Sequence, residues 1–107
     1  MIARLWTARA EAKNVQKYRD HFTSHVVPVL HGIEGFLSAS LMLRPDLGDV
    51  EILVETRWRS LDSIRAFAGS DLERAVVADE AAELFSSWDE RVRHYVVETD
   101  DVFQSSP

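Results

Sequence analysis

The stretch that most constrains this chain is residues 50–71, VEILVETRWRSLDSIRAFAGSD, because its hydrophobic period changes in the middle. Val50, Ile52, Val54, Thr56 and Trp58 fall on one side of an extended chain, and Glu51, Leu53, Glu55 and Arg57 on the other. A period of two is that of a half-buried strand. Leu61, Ile64, Phe67 and Ala68 then follow at helical spacing. Ser60 stands where a hydroxyl caps a helix by accepting from the backbone of Ser63, Asp62 adds an acid to the first turn, and Gly69 stops it. Ser70 and Asp71 are placed to cap a second short helix. A long strand ending in Trp58 is therefore predicted to fold straight onto a short amphipathic helix carrying Phe67.

The rest of the chain fits around that unit. Residues 1–8 alternate, Ile2, Arg4 and Trp6 against Ala3, Leu5 and Thr7, and read as a strand. Across residues 11–31, Val15, Tyr18, Phe22, Val26, Val29 and Leu30 draw one stripe along a helix, with Lys13, Lys17, Asp20 and Ser24 on the far face. Pro28 lies within the last turns, where it removes a backbone donor; at an interior position that costs about 3 kcal/mol and kinks or ends the helix. Gly32 and Gly35 release the chain into a second strand, residues 36–44, and residues 45–49 form a turn of hairpin length before the third. Residues 71–77 read as one or two helical turns, 79–87 as another short helix, and 91–99 as the last strand. In that strand Val92, His94 and Val96 alternate against Arg93, Tyr95 and Val97, which leaves His94 facing either a pocket or an interface.

The order β-α-β-β-α-β is that of a ferredoxin-like α+β fold, a four-stranded antiparallel sheet with helices on one face. Leu37, Ala39, Leu41 and Leu43 are apolar on one side of strand two, while Phe36, Ser38, Ser40 and Met42 on the other are semi-apolar. A sheet apolar on both sides needs cover on both. The helices supply one cover and a second copy the other, so a homodimer with its two sheets face to face is expected.

At 107 residues the chain has room for one core. The domain is expected over residues 1–99, with 100–107 a loosely held tail. No apolar run approaches the roughly 20 residues that span a bilayer, and the opening MIARLWTARA has no signal-peptide core. With no cysteine either, a cytoplasmic location is expected. The net charge is −6 with Lys and Arg scattered, which argues against nucleic-acid and membrane partners. No GxGxxG or phosphate loop supports a nucleotide cofactor, although that test does not reach a bound flavin.

Three runs carry a family resemblance: W-x-S-x-x-S-I-x-A-F-A-G-S-D from Trp58 onward, H-G-I-E-G-F from His31 onward, and D-E-R-V-R-H-Y from Asp89 onward. With the element order, they resemble the antibiotic biosynthesis monooxygenase-like domain over nearly the whole chain. The resemblance implies a dimeric α+β barrel. Relatives include cofactor-independent quinone-forming monooxygenases, haem-degrading enzymes and proteins with no assigned reaction, so fold does not settle activity. The haem-degrading branch uses an Asn on strand one, a Trp in the helix after strand three and a His ligand beyond it. Trp6, Phe67 and Val77 stand at those positions here. All three depart, which disfavours haem degradation.

The resemblance and the apolar stripe together nominate the site residues. At 100° per residue, His25 lies just outside the helical stripe beside Tyr18, with His21 further round and His31 on the polar side. His25 is the candidate general base, since an imidazole near pKa 6.5 suits proton removal at neutral pH; the plainer alternative is a boundary histidine bonded to a carbonyl or water. His21 and His25 also have the i, i+4 spacing of a metal pair, without a third ligand nearby. Trp6, Tyr18, Phe22 and Phe67 are the candidate walls of a substrate cavity, with Trp58 assigned to core. Arg4 shares a strand face with Trp6 and is a candidate to steady an anionic substrate or to form a rim ion pair. The expected function is a cofactor-independent monooxygenase of a phenolic or polycyclic aromatic small molecule. The alternative is a non-catalytic small-molecule-binding or stress-associated homodimer.

Overall fold

The computed structural model describes residues 1–103. Strand β1 (Ile2–Glu11) leads into a helical segment made of α1 (Ala12–His21), a π-helical turn (Phe22–Val26) and α2 (Val27–His31). Strands β2 (Phe36–Asp46) and β3 (Asp49–Trp58) form a hairpin, followed by α3 (Leu61–Ala68) and α4 (Asp79–Ala82), then β4 (Ser87–Trp88) and β5 (Arg93–Val96). The sheet is antiparallel in the order β2-β3-β1, and β4 and β5 lie end to end along the free edge of β1. It is therefore four strands wide and ferredoxin-like, with helices on one face.

The register shows how the two faces form. Ile2, Arg4, Trp6, Ala8 and Ala10 of β1 stand opposite Trp58, Thr56, Val54, Ile52 and Val50 of β3, all on the helix side. Tyr18, Val15 and Phe22 pack on Ala8, Ala10 and Ile52. Leu30, Ile64 and Ala68 pack on Ile2 and Trp58. Trp58 is fully buried, as expected of a core residue, and its indole donates to Thr56 Oγ1 at 2.9 Å. The Ser60 cap forms as read: its hydroxyl accepts from Ser63 N at 3.3 Å. Gly69 ends α3 at φ +83°. The hairpin closes through Leu47 and Gly48, both at positive φ (+51° and +89°), a primed two-residue turn that matches strand twist.

Four expectations are corrected. The helix is not broken at Pro28. The chain inserts a π turn, closed by Val27 N–H to Phe22 O, and restarts with Pro28 in the first turn of α2, where a missing donor costs nothing. Residues 71–77 are not helical. Asp71 to Arg74 closes a single turn, Arg74 N–H to Asp71 O, and from there Val92 N–H bonds Glu73 O, Ala75 N–H bonds Glu90 O and Arg74 bridges Arg91, so the segment is tied to the chain before β5. The helix from Asp79 stops at Ala82, because Ser86 N–H is taken by Arg9 O and the chain joins the sheet as β4. Finally, a bulge between Phe36 and Ser38 puts Phe36 and Leu37 on the sides opposite to those expected, while Ser38 keeps its side. Phe36 packs edge-on against Trp58 at 5.4 Å on the helix side, while Leu37 lies with Ser38, Ser40 and Arg57 on the helix-free side.

The helix-free face is less apolar than strand two alone suggested. Leu5, Leu53 and Met42 are interleaved with Arg57, bonded to Glu55 at 2.8 Å, and with Arg9, paired to Asp46 at 3.2 Å. Arg57 also reaches Asp100 at 3.0 Å, which holds the start of the tail; residues 104–107 of the expected loose tail lie outside the described residues. No described helix is long and apolar enough to cross a membrane.

Candidate functional site

Between the sheet and the helical segment lies a cavity of about 150 Å³. Trp6, Tyr18 and Phe67 line it from β1, α1 and α3; His21, His25, Val26 and Val29 line it from the helical segment; and Val76, Val77, Ala78 and Ala81 close the opposite side. A cavity of this size in apolar surroundings holds about one benzene-sized ring. His25, Val29 and Val76 are exposed, so they mark its mouth.

Each aromatic is fixed by its neighbours. Trp6 donates from Nε1 to Asp89 O at 2.7 Å and meets Phe85 edge-on at 5.4 Å. Its one polar atom is thus committed to the backbone, and its ring is what it offers the cavity. Tyr18 packs edge-on to Phe85 at 4.9 Å and is only 5% exposed. Burial pushes its hydroxyl up to about pKa 12, so it remains an un-ionised O–H at neutral pH. Phe67 lies 5.9 Å from Trp58 on one side and faces the cavity with another.

His21 and His25 stack, with ring centroids 5.2 Å apart and planes within 12°. Helical geometry at 100° per residue put His21 away from the pocket, yet it lines the cavity. The π turn begins just after it and widens the winding between the two rings. The sequence signal for this was Pro28, whose ring clashes with the carbonyl four residues back unless the helix rewinds. Among the described residues no three His, Asp or Glu side chains gather as a metal cluster.

Two nominated residues, the expected wall Phe22 and the expected substrate-steadying Arg4, are placed elsewhere. Phe22 is buried among Ala8, Ala10 and Ile52, turned toward the sheet by its position at the start of the π turn. Arg4 is behind the cavity. Its guanidinium sits 5.6 Å from the Phe67 ring centre and donates to Leu72 O at 2.6 Å and Arg74 O at 2.7 Å. Nη1 of Arg4 also lies 2.9 Å from His94 Nε2. Arginine only donates, so Nε2 of His94 accepts and its proton is on Nδ1. Burial lowers the Arg4 pKa to about 10, and burial together with the Arg4 charge holds His94 below the ordinary imidazole value. His94 thus faces the helix side of the sheet, opposite Arg4, rather than the helix-free face.

Comparison with known proteins bears on this site. The model of the family described as antibiotic biosynthesis monooxygenase matches residues 1–79. No curated protein matches the sequence. Among solved structures, a Bacillus cereus protein assigned to antibiotic biosynthesis monooxygenases is 19% identical, with 98% of this chain and 96% of that one covered at a TM-score of 0.60. A monooxygenase from the Streptomyces coelicolor gene ActVA-Orf6, in complex with nanaomycin D, is 16% identical, with 97% and 92% covered and a TM-score of 0.63. An MhuD mutant with two manganese protoporphyrin IX molecules bound per active site is 20% identical, with 96% and 100% covered and a TM-score of 0.70. At these identities the likeness establishes the shared fold.

Proposed function

The chain belongs to the antibiotic biosynthesis monooxygenase family, and from that membership we propose that it is a cofactor-independent monooxygenase acting on a phenolic or polycyclic aromatic small molecule. The observation that carries this reading is the apolar cavity walled by Trp6, Tyr18 and Phe67 with His25 at its mouth. One ring of the substrate enters and stacks among the aromatics. Any fused rings extend over the exposed Val29 and Val76. His25 takes the substrate proton, and the electron-rich anion reacts with dioxygen directly. With an anthrone, a hydroperoxide forms at the CH₂ carbon and loses water. One oxygen atom stays as the new carbonyl, and the other leaves with the two hydrogens of that carbon. The protein's part is to bind, deprotonate and exclude water around the anion.

Haem degradation fits the same cavity poorly. Val77, at the expected ligand position, lines it but offers no lone pair, and a cavity of about 150 Å³ is far smaller than a tetrapyrrole. The second reading, a non-catalytic small-molecule-binding or stress-associated homodimer, is favoured by one observation: among the described residues no hydrogen bond orients His25. In either reading a second copy covers Leu5, Leu53 and Met42 on the helix-free face, and the protein works in the cytoplasm. Light scattering at micromolar concentration is expected to give twice the chain mass; a monomer mass rejects the dimer. Oxygen-electrode measurements with an anthrone or hydroquinone are expected to show uptake that His25→Ala and Trp6→Ala abolish. Binding of these compounds without any uptake selects the second reading.

A further inference from the structure

The cavity is apolar except for four side chains, and these differ in what their polar atoms do. Trp6 has spent its N–H on Asp89 O. His21 and His25 stand at the helical rim, stacked on each other. Tyr18 lies deeper, 5% exposed between Trp6 and Phe85, and among the described residues its hydroxyl has no hydrogen-bond partner. Every fully buried side-chain nitrogen or oxygen among the described residues does have a partner. The Tyr18 oxygen is therefore not sealed in the core but keeps some accessible surface, and Tyr18 is one of the residues that line this cavity.

We propose that the Tyr18 hydroxyl is the oxygen-recognising group of the site, donating a hydrogen bond to the phenolic or carbonyl oxygen of the ring that enters. The inference rests on the reading of the cavity as an aromatic-binding site and adds which chemical feature of the ligand is read, and by what. A lone donor in an apolar pocket discriminates against ligands that leave it unpaired. An un-ionised hydroxyl also favours the anionic form of the ligand oxygen, which makes the stronger, charge-assisted acceptor. Tyr18 is thus a positioning residue that aims the oxygen-bearing ring inward, while His25 at the mouth meets the more exposed part of the substrate.

The test is an amide NMR titration of the full chain with 1-naphthol and with naphthalene, on the natural protein and on Tyr18→Phe. The natural protein is expected to bind 1-naphthol about fivefold more tightly than naphthalene, the size of one net hydrogen bond. Tyr18→Phe is expected to bind both with the naphthalene affinity of the natural protein. A natural protein that does not distinguish the two ligands, or a Tyr18→Phe variant that still prefers 1-naphthol, overturns the role of Tyr18 and leaves the aromatic site standing. If neither ligand perturbs the cavity residues of the natural protein, the site reading falls and this inference with it. The first comparison uses only the natural protein, so it holds whether or not the variant folds.

Discussion

Two sets of polar side chains flank Phe67, and they are used in opposite ways. Behind the ring, Arg4 is 4% exposed and all its near neighbours are acceptors: the carbonyls of Leu72 and Arg74 and the imidazole of His94. On the cavity side, the Tyr18 hydroxyl and the His21 and His25 rings have no such partners among the described residues. The first set closes the fold. It pins residues 72–74, which form a turn without a helix of their own, onto β1 and β5. The second set is left available. A buried polar group with every bond made contributes to stability, and one left open is available to a ligand.

Mutation should separate the two sets, beginning with the largest effect. Arg4→Met leaves two part-buried carbonyls and His94 without their shared donor, and is expected to lower unfolding free energy by about 3 kcal/mol in a urea titration. A loss comparable to a surface change would mean that the Arg4 cluster is ornamental. The next effect is a dependence on pH. His94 has its folded pKa below the unfolded value near 6.5, so the unfolded chain binds more protons between those two values. Stability is then full above about pH 6.5 and falls as pH drops toward the folded value. The charged groups around His94 are Arg4, which disfavours its protonation, and Glu73, which favours it. Thermal melts of the natural protein and His94→Gln from pH 7.5 to 5 should show a steeper decline for the natural protein; parallel curves would remove His94 from the account. Smallest of all, Tyr18→Phe and His25→Ala are each expected to change stability by less than about 0.5 kcal/mol. If either destabilised the fold as Arg4→Met does, the cavity side would be structural too.

The same division marks what could be read from the chain in advance. The alternation into Trp58, the Ser60 cap, the Gly69 stop and the hairpin are local, and they form as the residue pattern says. The Arg4 cluster is not local. Its partners lie 68, 70 and 90 positions away, so nothing near Arg4 announced that its donors were taken. Residues 71–77 carried a helix cap and a helical pattern, and backbone pairing to Glu90 and Val92 overrode both. Strand β4 is two residues long, too short for any period to show. The Trp6, Tyr18 and Phe67 walls were legible because helix and strand periodicity point them to one side and the family resemblance puts Trp6 at a ligand-facing position; Phe22, on the same stripe, goes to the core instead. The inclusion of His21 was not, because a π turn breaks the 100° step on which such reasoning relies.

The most direct test of this contrast is a crystal structure with 1-naphthol soaked in. The account predicts a ring between Trp6, Tyr18 and Phe67, its oxygen toward Tyr18, with Arg4 still bonded to Leu72, Arg74 and His94. A ligand found only on the helix-free face, or an Arg4 side chain that leaves its carbonyls to meet the naphthol oxygen, would contradict it.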